Sequence, residues 1–492
     1  MNLSNFVKSV QNIMRQDSGI NGDAQRLEQM TWILFLKIYA AQEENWELEE
    51  DDYKSIIPEN LRWKNWAVDN KDGRALTGDN LLNCVNTELF PTFKNLSVTD
   101  STPIKKSVVP LVFQDINQYM KDGILLRELV NKIDEIEFDT LEQAHALGNI
   151  YETILKSLQS AGNAGEFYTP RPVTDFIIDR IKPQLGEVIA DFACGTGGFL
   201  TSGLNYLEKQ IVTADDRVKF SQSIFGIEKK PLPYLLAITN MLLHKIDSPY
   251  ILHGNSLERD VKTYTENEKF SIIVMNPPYG GVESNNIQNN FPKDLQSNET
   301  ADLFIALAMY RLKFDGRAAI IIPDGFLFGA DGAKLALKKK LITEFNLHTI
   351  IRLPAGVFSP YTTITTNILF FDKTFATKKI WFYRVDIPPT YKSFSKTRPM
   401  NFEHFAACQE WWDNRRVIKD TDTETFKAKD FDAAEIIERN FDLDLCGYPA
   451  QEEEILSLED TVTEIKKIRS HYANLNAKIN SRLDKISALL DG

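Results

Sequence analysis

Apolar residues recur at steps of three and four in the first 150 residues, most regularly at Leu27, Met30, Leu34 and Ile38. That is the spacing of one helix face. Trp32, Ile33, Phe35 and Leu36 widen the face, so this helix is expected to be buried on more than one side, with Asp23 as its N-cap. Pro58, Pro91 and Pro103 break a more irregular stretch over 48–110. From about residue 165 the texture changes to short apolar runs alternating with amphipathic segments. Strands are expected at 188–192, 224–227, 272–275, 318–322, 349–353, 366–371 and 380–385, and helices at 231–244, 301–312 and 334–345. Such alternation predicts a doubly wound, mostly parallel sheet. A short polar turn separates the last two strands, which predicts an antiparallel pair at one edge. Residues 386–450 read as polar and irregular. The tail is periodic again, through Ile455, Leu458, Val462, Ile465, Ile468, Tyr472, Leu475, Ile479, Leu483, Ile486 and Leu490. Apolar steps sustained this long between charged residues predict a coiled-coil helix, whose seam needs a partner. Another protein is favoured over the N-terminal helices.

A chain of 492 residues exceeds one ordinary domain. The changes of pattern divide it into a helical N-terminal domain over 1–150, an α/β domain over 151–400, a polar connecting region over 401–450 and a helical tail over 451–492. Composition adds bounds. Hydrophobic residues are 43% and charged residues 25%, ordinary for a soluble protein. No apolar run is long enough to span a membrane, and the first residues lack the pattern of a signal peptide. Cys84, Cys194, Cys408 and Cys446 show no paired spacing, so neither a disulfide framework nor a metal centre is expected, and a reducing cytoplasm fits. The formal charge of −13 is wrong for a chain gripping nucleic acid mainly by its own phosphate contacts. Basic residues must then be clustered, or another subunit must supply the grip.

Three segments carry chemistry. The first expected strand runs through Asp191 into Ala193-Cys194-Gly195-Thr196-Gly197-Gly198-Phe199. This glycine turn opens a helix, where the backbone approaches a ligand closely and the helix start favours an anionic group. It matches neither the dinucleotide fingerprint nor a P-loop. Gly329-Ala330-Asp331-Gly332-Ala333-Lys334 fails as a P-loop too, in spacing and in lacking the hydroxyl. After the next strand comes Glu228, placed where nucleoside-binding folds set a carboxylate on the ribose hydroxyls. Asn255 follows, in a turn suited to reading an adenine ring. A surface acid at a strand end is the bland reading of Glu228, and the glycine loop upstream weighs against it.

The decisive segment is Asn276-Pro277-Pro278-Tyr279, where an apolar strand ends abruptly. Two prolines fix φ and remove two donors. They leave an amide, backbone carbonyls and an aromatic ring, a set suited to an aromatic amine. The exocyclic amine of adenine is a weak nucleophile because its lone pair is delocalised. Acceptance of its two N–H bonds by the Asn276 side-chain oxygen and the Pro277 carbonyl favours pyramidalisation and stabilises the charge growing on nitrogen. Alignment with a methyl sulfonium adds orientation. Tyr279 would stack on the base, with Phe358 as a candidate second ring. A base in duplex DNA must be flipped out to reach them.

Read together, these motifs resemble the amino-methyltransferases. Gly165-Glu166-Phe167-Tyr168-Thr169-Pro170-Arg171-Pro172 precedes the glycine loop and Asn-Pro-Pro-Tyr follows it, an order similar to the gamma group of DNA adenine methyltransferases. The nearest resemblance is to the modification (M) subunit of type I restriction–modification enzymes. It covers nearly the whole chain, including Leu353-Pro354-Ala355-Gly356-Val357-Phe358 and Thr366-Asn367-Ile368-Leu369-Phe370-Phe371. The resemblance implies a Rossmann-like α/β methyltransferase fold and S-adenosyl-L-methionine as cofactor. It implies cofactor contacts at Glu166, Phe167, Tyr168, Thr169, Pro170, Arg171, Asp191, Ala193, Gly195, Thr196, Gly197, Gly198, Phe199 and Glu228, with Asn255 a weaker transfer. Phe192 stands where the family usually has proline, a departure expected to leave activity intact. The resemblance further implies double-stranded DNA as substrate and a separate specificity (S) subunit flanked by two M subunits. A restriction (R) subunit with translocase and nuclease activity can join them. The acidic balance and the unpartnered tail then have an explanation. Three rival readings are a stand-alone gamma-group enzyme, a methyltransferase acting on protein or RNA, and an inactive assembly scaffold. The first lacks a recognition domain, the second leaves both ends of the chain unexplained, and the intact motifs count against the third.

Overall fold

In the computed structural model of the chain, the described residues are 3–70, 72–99, 101–136, 168–330, 332–359, 362, 364–395, 397–420, 425–445 and 447. In the tail only Lys466, Arg469, Ser470 and Tyr472 are described, all helical. Glu166, Phe167 and the rest of the expected coiled coil lie outside the described residues. The chain divides after Gly447 into two units, and the site lies wholly in the first.

The apolar runs become strands β1 (Ile189–Asp191), β2 (Ile224–Glu228), β3 (Ile251–His253), β4 (Phe270–Met275), β5 (Leu312–Pro323), β6 (Asn346–Arg352), β7 (Thr366–Asp372), β8 (Lys379–Arg384), β9 (Ile418–Lys419) and β10 (Phe426–Asp432). Among the described residues they form one ten-stranded sheet in the order β3-β2-β1-β4-β5-β7-β6-β8-β10-β9. The half from β3 to β5 is parallel throughout, and its central strands read as continuous apolar runs because helices cover both faces. The strand order reverses at β1, with β2 on one side and β4 on the other. A crevice at the carboxyl ends of strands is the usual ligand site at such a switch point.

The two-residue alternation along the strands sorts the core into two layers. Ile189, Ile272, Val274, Ala319 and Ile321 pack on one face, while Ala190, Ile273, Met275, Ala318 and Ile320 pack on the other. The first face carries α1 (Leu3–Arg15), α2 (Asp23–Glu49), α3 (Ile104–Phe113), α4 (Gly123–Asp134), α5 (Arg171–Ile181), α6 (Gly198–Glu208) and α7 (Pro231–Leu243). The second carries α8 (Thr300–Arg311) and α9 (Gly332–Thr343). Helix α2 buries Trp32, Ile33, Phe35 and Leu36 as well as its three–four face, and it packs on α7.

Three expectations need correction. β7 and β8 do not pair. β7 enters antiparallel between β5 and β6, and β8 lies parallel to β6 on its other side. The reason is burial: all of β7 but its last residue is buried, which an edge position would not satisfy. The stretch read as irregular after residue 386 contains β10, paired antiparallel with β8, and β9 beyond it. Asp23 is the first residue of α2 rather than its cap, which is Gly22 at φ 100°.

Candidate active site

Three strand ends build most of the site. β1 stops at Asp191 and the chain turns through Cys194-Gly195-Thr196-Gly197 into α6. Gly195 (φ 55°) and Gly197 (φ 78°) occupy the left-handed region, which residues with a Cβ rarely enter. Asp191 is 1% exposed, and its carboxylate accepts from the Ala193 N–H at 3.0 Å. Burial pushes its pKa up to about 8, against the Ala193 hydrogen bond and with a contribution from the Glu228 charge.

β2 ends in Glu228, whose oxygens accept from the Gly195 N–H at 2.9 Å and the Lys230 N–H at 2.7 Å. Burial raises its pKa although these N–H groups favour the charged form. Glu228 therefore braces the glycine loop, a task the sequence did not disclose. The Gly254 N–H donates to the Glu228 carbonyl at 2.9 Å and brings the turn after β3 alongside. There Asn255 accepts from the Leu257 N–H at 3.1 Å, and buried Ser256 donates to the Phe192 carbonyl at 2.5 Å.

β4 delivers Asn276. Its Nδ2 donates to the Thr169 hydroxyl at 3.0 Å, and its Oδ1 accepts from the Tyr279 hydroxyl. The Tyr279 and Phe358 rings meet edge to face, centroids 6.4 Å apart and planes at 86°. Pro277 is buried, whereas Pro278 and Gly280 are exposed. The loop then presses on α8: a Cβ on Gly281 would stand 2.5 Å from the Thr300 hydroxyl oxygen.

These strand ends, with Tyr168 and Thr169, the start of α8 and Phe358, line one cavity of about 610 Å³, within the range of small-molecule sites. Of the residues singled out in the sequence, Tyr168, Thr169, Asp191, Ala193, Gly195, Gly198, Phe199, Glu228, Asn255, Asn276, Pro277, Pro278, Tyr279 and Phe358 line it. Four others have structural places. Pro170 caps α5, the Arg171 guanidinium donates to the Gly198 carbonyl at 2.6 Å, Gly197 caps α6, and the Thr196 carbonyl accepts from the Asn240 amide at 3.2 Å. Lys229, Lys230, Ser256, Thr300 and Phe304 also line the cavity and were missed. Lys229 and Lys230 directly follow Glu228 and were within reach of the sequence. Thr300 and Phe304 come from a helix that carries no motif.

Residues 142–455 match the N-6 DNA methylase family, and residues 3–133 match the HsdM N-terminal domain. The methylase subunit of the type I restriction enzyme EcoEI from Escherichia coli is 47% identical over 494 residues, covering 100% of this chain and 99% of that one. The chain belongs to the type I restriction-enzyme methylase subunits. Two solved structures agree with that membership. A modification subunit assigned to a type I restriction enzyme of Vibrio vulnificus YJ016 is 39% identical, with a TM-score of 0.78 over 90% of this chain and 95% of that one. A chain from a study of complex assembly and conformational transition in the type I R-M system is 31% identical, with a TM-score of 0.80 over 98% of each. As a type I methylase subunit the chain is an adenine-specific DNA methyltransferase with the expected α/β fold. Among the described residues no helix is long and apolar enough to cross a membrane.

Proposed function

We propose that the chain methylates N6 of an adenine flipped out of double-stranded DNA, drawing on S-adenosyl-L-methionine and acting at sites chosen by a separate specificity subunit. The observation that carries this reading is the opening of Asn276, the glycine loop and Glu228 into one cavity. The residues suit the cofactor: Asp191 and Glu228 are acids in a buried setting, to which a ligand bearing a sulfonium and an ammonium is favourable. Asp191, Glu228, Asn255 and the loop at Gly195 and Gly198 would hold it. When bound, it supplies an electrophilic methyl group.

The chain's own part is to hold the amine. Asn276 Oδ1 and the Pro277 carbonyl accept the two N6–H bonds, which concentrates the lone pair on nitrogen and stabilises the charge that grows there. Tyr279 stacks on the base, with Phe358 as the second ring. The Tyr279 hydroxyl donates to Asn276 Oδ1, and that oxygen has a second lone pair to offer the amine. Sequence choice, and most of the grip on DNA, fall to the specificity subunit, with two copies of this chain per specificity subunit and the tail over 451–492 as the assembly element. A restriction subunit can complete the enzyme, and the cytoplasm is its place of work.

The test pairs the purified chain with its specificity subunit. The chain alone is expected to bind S-adenosylmethionine yet methylate DNA poorly, and the complex to methylate adenine N6 at defined sites. Asn276→Ala should lower methyl transfer by about 100-fold or more with cofactor binding kept. Robust site-specific methylation by the isolated chain would remove the specificity subunit from the reading. Unchanged turnover in Asn276→Ala would remove the mechanism.

A further inference from the structure

A side-chain amide has two ends of nearly equal size, so shape alone does not decide which of them faces a substrate. For Asn276 the choice is consequential. Turned with Oδ1 toward the base it accepts an amine N–H; turned the other way it sets its own N–H against another donor. A hydroxyl can donate or accept, so its part is to hold the amide in place; the structure has a hydroxyl on each side, and the end turned to Thr169 is the N–H end. Asn276 Nδ2 donates to Thr169 Oγ1 at 3.0 Å, and Oδ1 points to the Tyr279 hydroxyl. The contact with Tyr279 lies on the end of the amide that an incoming base meets. The contact with Thr169 lies on the opposite end of the amide and can persist throughout.

Thr169 is also well held. It stands two residues ahead of α5, and α5 is stitched to α6 by three side-chain bonds. The Arg171 guanidinium donates to the Gly198 carbonyl at 2.6 Å, the Thr174 and Ser202 hydroxyls meet at 2.8 Å, and Ser202 donates to Asp175 at 2.6 Å. The helix that begins at the glycine loop thus fixes the hydroxyl that meets the amide at the end of β4. We infer that Thr169 is a positioning residue for methyl transfer, its hydroxyl holding the Asn276 amide with Oδ1 toward the target amine. This rests on the role proposed for Asn276. It differs from a cofactor contact, the role that the family resemblance implies for Thr169.

The experiment uses the full chain assembled with its specificity subunit and reads two quantities: single-turnover methylation at saturating cofactor, and the Kd for S-adenosylmethionine. Thr169→Val keeps the shape and removes the hydroxyl. It is expected to slow methyl transfer by about 10- to 100-fold while the cofactor Kd stays within about 2-fold. Thr169→Ser, which restores the hydroxyl, should recover most of the rate. Thr169→Ala repeats the hydroxyl deletion if the valine variant does not fold. An unchanged rate in the valine or alanine variant overturns the inference. So does a loss confined to cofactor Kd, or a serine variant as slow as valine, since each assigns Thr169 to cofactor contact or packing. Failure of the proposed function itself appears separately, as a wild-type complex that does not methylate adenine N6.

Discussion

Asp191 sits at the end of β1 with 1% of its surface exposed, and burial pushes its carboxyl up to about 8 from an ordinary 3.8. The sign follows from counting protons. Between those values the folded chain holds a proton that the unfolded chain has lost, so stability from this group is full below the lower value and declines as pH rises to the upper one. A cationic ligand in the same cavity acts oppositely, since it favours the carboxylate and expels the proton. Affinity for S-adenosylmethionine is therefore expected to increase from pH 6 to pH 8, with proton release seen by calorimetry in buffers of different ionisation enthalpy. Asp191→Asn should abolish the release and flatten the decline of the melting temperature of the unliganded chain over that range. Binding without proton exchange at pH 7 would refute this account. Glu228 and Asn276 were legible in the sequence because each ends an apolar run and precedes turn residues, and Asp191 through the family resemblance alone. The bond from Asn276 to Thr169 was not, because it joins residues 107 positions apart that share no periodicity. Nor was Ser256, whose hydroxyl serves the Phe192 carbonyl, 64 positions away.

Among the elements, apolar runs announced β1, β2 and β4 to β8, yet their neighbours were a separate matter. β7 and β8 are joined by a short turn, which points to a hairpin, but β6 lies between them. Burial of β7 on both faces and both edges decides the order, and no local pattern encodes it. β3 is three residues long with Leu252 exposed, too short to show alternation. β10 was invisible for another reason. It is charged, and it joins β8 partly through ion pairs such as Lys379–Asp430 at 2.5 Å. Arg384, at the end of β8 and 2% exposed, donates to Asp386 at 2.7 Å and Asp420 at 2.6 Å and to the Gly447 carbonyl at 2.6 Å. Breaking a buried pair on one side leaves the partner charge without compensation. Arg384→Met is thus expected to destabilise the fold by about 3 kcal/mol, read from the urea midpoint, with S-adenosylmethionine affinity within about 2-fold of wild type. A midpoint that does not move would show that these strands hold without the guanidinium.

At the scale of the molecule, the helical character of the N-terminal region was legible, but its docking was not. α2 packs on α7, and α1 to α4 share one apolar core with the sheet face that carries the glycine-loop helix. The face of α2 is broad because it meets neighbours on several sides, which the four apolar residues outside its three–four spacing had indicated. The tail belongs to the second unit, beyond Gly447, and its apolar steps from Ile455 to Leu490 call for a partner seam. The formal charge of −13 is compatible with that arrangement, in which another subunit supplies much of the grip on DNA phosphates. Removing residues 451–492 should leave S-adenosylmethionine affinity within about 2-fold, because the cavity is built wholly from residues before Gly447. The same deletion should abolish co-elution with the specificity subunit in size-exclusion chromatography with light scattering, and methylation by the mixture should fall to that of the isolated chain. Charge reversal at tail positions between the apolar steps should weaken assembly less than Leu475→Asp or Ile479→Asp, because apolar contact in the seam supplies most of the association. If the truncated chain still assembles in a two-to-one complex, the seam is filled by something other than the specificity subunit, and the grip between subunits must come from the surface of the first unit.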